Sequence, residues 1–184
     1  MKKIKIAFIG AGLTMEQHLK VINSYKNKGI ELSGIYSRTF SKADKLKKKY
    51  KIKTTYKSID ELYKKTQANI LVAVVSLESI KKIVIKSSKY PWKIFIEKPF
   101  GINFNEADFL KKKLKNKVNN FYIGLNRIHF SSIKKMLEIL KKDKSKRIIN
   151  VFDQQSIDQF NDKRFSDVAR KNIIIPTNSP PNDY

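Results

Sequence analysis

The chain has 184 residues, 41% of them hydrophobic and 11% aromatic, which is apolar material for a sizeable core and excludes a disordered protein. It contains no cysteine, which excludes a disulfide framework and a thiolate metal site. The formal charge of +24 suggests a nucleic-acid surface, but only five of the 40 basic residues are arginine, the residue that reads bases and clamps phosphates. The lysines are spread over nearly every predicted helix, so the charge reads as solvated helix faces and not as a specific nucleic-acid surface.

In chain order, IKIAFI (Ile4 to Ile9) reads as a short buried strand ended by Gly10. Its basic lead MKK precedes too short an apolar run for a signal peptide, and no stretch nears the ~20 apolar residues of a membrane span, so no membrane contact and a cytoplasmic location are expected. Thr14 to Lys26 has helical spacing, with Met15, Leu19 and Ile22 on one face. Leu32 to Tyr36 is a second strand, and Ser41 to Tyr50 a short charged helix with Ser41 as its N-cap. Ser58 caps a further helix, IDELYKKT. The uninterrupted apolar run Ile70 to Val75 predicts a central parallel strand covered on both faces. Ser79 to Ser87 and Asn105 to Leu114 read as helices, and Lys93 to Ile96 and Phe121 to Gly124 as strands. Ser131 to Lys142 carries a helical apolar stripe through Ile133, Met136, Leu137 and Leu140, read as a core face, and Arg147 to Phe152 is a last strand candidate.

This alternation predicts an α/β fold with a doubly wound parallel sheet, Rossmann-type, over residues 1–124, followed by an incomplete α+β second domain over residues 125–184. The first strand opens into GAGLTM. Gly10 permits a tight turn, and Gly12 lets the backbone approach a pyrophosphate lying on the next helix N-terminus. Gly10, Ala11, Gly12, Leu13 and Thr14 are therefore candidate cofactor-binding residues. Met15 stands where the dinucleotide fingerprint has a third glycine, and a helix pushed slightly outward, or a Met side chain filling a gap, is expected there. A tight strand-to-helix turn without a ligand accounts for the same residues. After the second strand, where a carboxylate would hold a ribose 2′-hydroxyl, the chain has Ser37, Arg38 and Thr39. Hydroxyls with a guanidinium suit a 2′-phosphate, with Lys42 assisting, which favours NADP over NAD.

IEKPF (Ile96 to Phe100), about 85 residues past the glycine turn, resembles the Gfo/Idh/MocA family of NAD(P)-dependent oxidoreductases, as do the GAG turn with His18, YSRT, ANILVAVVS and GLNRIHFSS (Gly124 to Ser132). The resemblance implies a dehydrogenase acting on a sugar, nucleotide-sugar or cyclitol, working as a homo-oligomer when full length. It puts Lys98 beside the nicotinamide and the reacting carbon, with Glu97 orienting it, so that both are candidate catalytic residues. Pro99 often follows a cis peptide in such enzymes. Val75, Ser76 and Leu77 would border the ribose and nicotinamide, and Asn126 and Arg127 would lie near cofactor or substrate.

The chain departs from the family pattern in its SLESIKK loop and in having only about 60 residues where a second domain of about 150 would stand. The expectation is a truncated chain, with the Ser131 to Phe152 segment exposed and poorly soluble. A non-catalytic dinucleotide-binding remnant is the alternative, and a basic nucleic-acid-binding protein a more distant one. His18 and His129 read as structural, and Trp92 as a core or rim aromatic. No His/Asp/Glu cluster has metal-ligand spacing.

Overall fold

The computed structural model describes residues 3–25, 28–142 and Ser145. Six strands, β1 (Ile4–Ile9), β2 (Ile30–Tyr36), β3 (Thr55–Tyr56), β4 (Ile70–Ala73), β5 (Lys93–Ile96) and β6 (Phe121–Ile123), form one parallel sheet in the order β3-β2-β1-β4-β5-β6. The intervening helices are α1 (Leu13–Asn23), α2 (Phe40–Tyr50), α3 (Ile59–Thr66), α4 (Ile80–Ser87) and α5 (Phe104–Leu114), and α6 (Ser131–Lys142) follows β6. Chain order reverses at β1, which pairs with β2 on one side and β4 on the other. Open α/β sheets bind ligands at such a point, beyond the carboxyl ends of the strands.

Two apolar layers follow from the two-residue period of the strands. On β1, Ile6 and Phe8 enter one layer with Met15 and Leu19 of α1 and Leu46 of α2. Ala7 and Ile9 enter the other, with Leu62 of α3, Val84 of α4, Leu110 of α5 and Trp92. Trp92 is fully buried and belongs to the core, edge-on to Tyr63 and Tyr90. Each additional buried Leu- or Phe-sized side chain contributes about 1.5–3 kcal/mol, so covering both faces holds the sheet.

Local signals end the helices where the chain supplies them. Ser58 accepts a hydrogen bond from Glu61 N at 3.0 Å, and Asn103 from Glu106 N at 2.9 Å, each satisfying an otherwise orphaned first-turn donor. The expected cap at Ser41 moves two residues earlier. Ser37 Oγ accepts from Thr39 N at 3.3 Å and folds the turn so that Thr39 becomes the N-cap.

Three further differences have physical causes. β3 is two residues long, too short to show alternation, and pairs with Ile35 and Tyr36 at the sheet edge. β4 ends at Ala73, not Val75, because the Val74 carbonyl turns against Gly10. The β1–β2 register shifts between Ile6 and Ala7, leaving Ser33 unpaired in a bulge with its hydroxyl 2.8 Å from Glu31 Oε1. The α6 stripe is not a core face among the described residues. Met136 and Leu137 are exposed and no residue of α6 is buried, because the helix packs on the short turn at Asn126–His129 and not on the sheet. The strand candidate Arg147 to Phe152 lies outside the described residues, as does most of the 125–184 segment.

Candidate dinucleotide site

The β1–α1 turn is held by backbone geometry that only glycine provides at one of its two positions. Gly10 has φ +105°, and a Cβ there would lie 1.8 Å from the Val74 carbonyl oxygen. Its N–H donates to Tyr36 O at 2.8 Å, and Val74 N donates to Ile9 O at 2.9 Å, which ties the ends of β1, β2 and β4 together. Gly12 differs. It is the N-cap of α1, with φ −86° and no side-chain cap, and no atom lies within 4 Å of where its Cβ would be. The first-turn N–H groups of α1 thus face an open cleft with a favourable dipole.

Met15 does not line either cleft. It is fully buried among Phe8 and Leu19, so the third position of the fingerprint is filled from below by core. This is the second of the two arrangements expected for the position, a flexible thioether filling room in the layer.

A cleft of about 690 Å³ joins three segments distant in sequence: Gly10 to Thr14, Ser37 to Thr39, and Val75 with Ser76. Gln17 and Lys42 also line it. Arg38 is 73% exposed. Its Nη2 donates to Ser76 Oγ at 3.3 Å and lies 3.8 Å from Glu78 Oε1. A hydrogen bond from Ser76 holds the Glu78 carboxyl below the usual carboxylate range, with burial opposing and the Arg38 charge assisting. The guanidinium therefore spans from the β2 end to the β4 end across the cleft mouth.

A second cleft, about 940 Å³, continues past Thr14, Val75, Ser76 and Leu77 to the ends of β5 and β6. Glu97, Lys98 and Asn126 line it, as do His18 and His129. The Lys98–Pro99 bond is cis. Arg127 is outside the lining of both clefts. Glu97 does not reach Lys98 through its side chain's charge alone. Its Oε2 accepts from the Lys98 backbone N at 3.2 Å, and its Oε1 lies 2.9 Å from His18 Nε2. A carboxylate only accepts, so Nε2 carries the hydrogen. The His18 hydrogen bond holds the Glu97 carboxyl below the usual carboxylate range, against the opposing effect of burial.

In the sequence His18 reads as structural and Gln17 does not stand out, yet both line the second cleft. Thr14, Gln17, His18 and Val21 recur at helical spacing on the face of α1 opposite Met15 and Leu19, and this face lines the second cleft. A lone polar residue on a helix carries no such signal until the buried face is known. Among the described residues, no group of three or more His, Asp or Glu side chains is placed to share a cation, and no helix is long and apolar enough to cross a membrane.

The fold is shared with solved dehydrogenases. Scyllo-inositol dehydrogenase from Lactobacillus casei, with bound NAD(H) and scyllo-inositol, superposes with TM-score 0.68 at 18% identity over 77% of this chain and 42% of its own. Myo-inositol 2-dehydrogenase from Lactobacillus plantarum gives 0.66 at 22% identity, over 77% and 42%. A myo-inositol dehydrogenase from Corynebacterium glutamicum gives 0.64 at 18% identity, over 76% and 41%. The chain spans about two fifths of the length of these structures. No curated protein matches it. Residues 4–125 match the oxidoreductase family with the NAD-binding Rossmann fold, so the chain belongs to the Gfo/Idh/MocA family.

Proposed function

We propose that the chain binds a nicotinamide dinucleotide along the two clefts, prefers NADP(H) to NAD(H), and serves oxidation or reduction of a sugar-like or cyclitol alcohol or ketone in the cytoplasm. The observation that carries the reading is the open space over Gly12 at the uncapped N-terminus of α1, with Arg38 facing it across the same cleft. A pyrophosphate fits a row of free N–H groups at a helix start, and a 2′-phosphate fits a guanidinium flanked by the Ser37 and Thr39 hydroxyls. Space over Gly12 is open, while the backbone crowding at Gly10 is against the Val74 carbonyl.

When bound, the cofactor supplies the carbon that gives or takes a hydride. The chain's own residues do the rest. Gly10 to Thr14 cradle the phosphates, Ser37, Arg38 and Thr39 hold the adenosine end, and Val75 and Ser76 border the ribose between the clefts. Lys98 sets an ammonium toward the substrate oxygen, where it polarises a carbonyl or shares a hydroxyl proton. Glu97 anchors Lys98, and Asn126 and Arg127 stand where the chain leaves the sheet toward the substrate. In this reading residues 1–124 are the cofactor unit and residues 125–184 begin the substrate and oligomerisation unit. The inositol ligand of the Lactobacillus casei relative supports a polyol as the substrate class. Fluorescence titration with NADPH and with NADH tests it. Saturable binding, tighter for NADPH, is expected; absence of saturable binding for both overturns the cofactor assignment.

A further inference from the structure

We propose that His18 is a positioning residue for Lys98, acting through Glu97, so that α1 braces the nicotinamide side of the site as well as its phosphate side; this rests on the cofactor reading above.

Lys98 is exposed, and the root of its side chain is tied by its backbone N–H to Glu97 Oε2, 3.2 Å away. The Glu97 carboxylate is in turn held on more than one side. His18 Nε2 donates to Oε1 at 2.9 Å. On β6's side, a Cβ on Gly124 would come within 3.1 Å of that same oxygen and 2.9 Å of Phe95 Cζ, so the backbone there closes on the carboxylate as far as glycine allows. The His18 ring is itself set edge-on to Phe95, with centroids 5.3 Å apart. Remove the His18 donor and the half-buried carboxylate loses the one side-chain hydrogen-bond partner it has among the described residues. It is then free to turn toward water, taking the Lys98 N–H contact with it. A histidine that merely packed a helix would have no reason to sit on the carboxylate next to the lysine, in the lining of the cleft that holds that lysine.

The test compares wild type with His18→Leu, which removes the donor, and His18→Gln, which keeps an N–H donor of similar reach. Two readouts are taken. The first is the rate of acetylation of Lys98 in the free protein, followed by peptide mass spectrometry, which needs no cofactor. The second is the affinity for NADPH against that for 2′-phospho-ADP-ribose, which lacks the nicotinamide. The expected result for His18→Leu is a Lys98 labelling rate changed severalfold, NADPH weakened about tenfold, and 2′-phospho-ADP-ribose unchanged within twofold. His18→Gln restores both. Unchanged Lys98 labelling in His18→Leu, or equal weakening of the two ligands, overturns the proposal. Wild type that binds neither ligand while Lys98 labelling still responds to His18→Leu overturns the cofactor reading and keeps the brace. Should His18→Leu not fold, His18→Asn, too short to reach Glu97, takes its place.

Discussion

His18 on α1 and Glu97 just past β5 are 79 residues apart in the chain, and their Nε2 and Oε1 atoms are 2.9 Å apart. The pair lowers the Glu97 pKa in the folded state from the ordinary 4.5. A depressed folded pKa means the folded state binds the proton more weakly than the unfolded chain. Its stabilisation is therefore present above about pH 4.5 and is lost as pH falls through the lowered folded value. The difference in melting temperature between wild type and Glu97→Gln should shrink as pH falls below 4.5. The general acid sensitivity of a protein of charge +24 is common to both and cancels. A difference that persists to pH 3 would show that the pair is not formed in solution.

Gly10 and Gly12 separate folding from binding. Gly10→Ala places a methyl 1.8 Å from the Val74 oxygen at φ +105° and should cost more than about 2 kcal/mol in urea denaturation. Gly12→Ala meets no atom within 4 Å and should stay within about 0.5 kcal/mol of wild type. Its methyl would nonetheless stand over the α1 N-terminus, and NADPH affinity should fall at least tenfold. Equal stability losses in the two variants would contradict the geometry of the turn.

Restoring the missing glycine should harm the protein. Met15 is fully buried against Phe8 and Leu19, so Met15→Ala should cost about 2–5 kcal/mol, and Met15→Gly about 1 kcal/mol more. Dinucleotide affinity of the folded protein should not improve. Tighter NADPH binding by Met15→Gly would mean that Met15 obstructs the turn after all.

Arg38→Ala should weaken NADPH by tenfold or more, in line with about 1.5–3 kcal/mol for hydrogen bonds to a charged group, and leave NADH within twofold. Glu78→Gln should act in reverse. Removing the carboxylate 3.8 Å from Arg38 frees the guanidinium and takes a negative charge from beside the cleft. NADPH should bind more tightly at low salt, with NADH unmoved. Calorimetry at two ionic strengths separates these outcomes, and parallel changes for the two dinucleotides would refute the role given to Arg38.

The central sheet was readable because each long apolar run is a strand buried on both faces, and because Gly10, Ser58 and the β1–α1 junction carry local chemistry that does not depend on distant contacts. The cluster of Gly12, Ser37–Thr39 and Ser76 was readable for a related reason: parallel alternation places successive strand ends on one edge, so residues after strands meet there. What the sequence could not disclose was set by tertiary packing. The Met15 environment depends on the room left by Phe8 and Leu19. The two-residue β3 exists only through its pairing with Ile35 and Tyr36. The His18–Glu97 contact joins two elements with no periodicity in common. The α6 stripe has the spacing of a core helix, yet spacing states only that a face is apolar, not that anything covers it.

The exposure of Arg38 bears on how this protein can change over generations. Its side chain is 73% exposed, and its partners Ser76 and Glu78 lie at the surface end of a loop and not in either apolar layer. Surface replacements of this kind leave stability within about 0.5 kcal/mol. Discrimination between two cofactors would then reside at a position that can be exchanged without endangering the fold, whereas Gly10, wedged under the Val74 carbonyl, has no such freedom. Under the proposed cofactor role, a lineage carrying this scaffold could drift in its choice of dinucleotide by single substitutions while the Gly10 turn stays fixed.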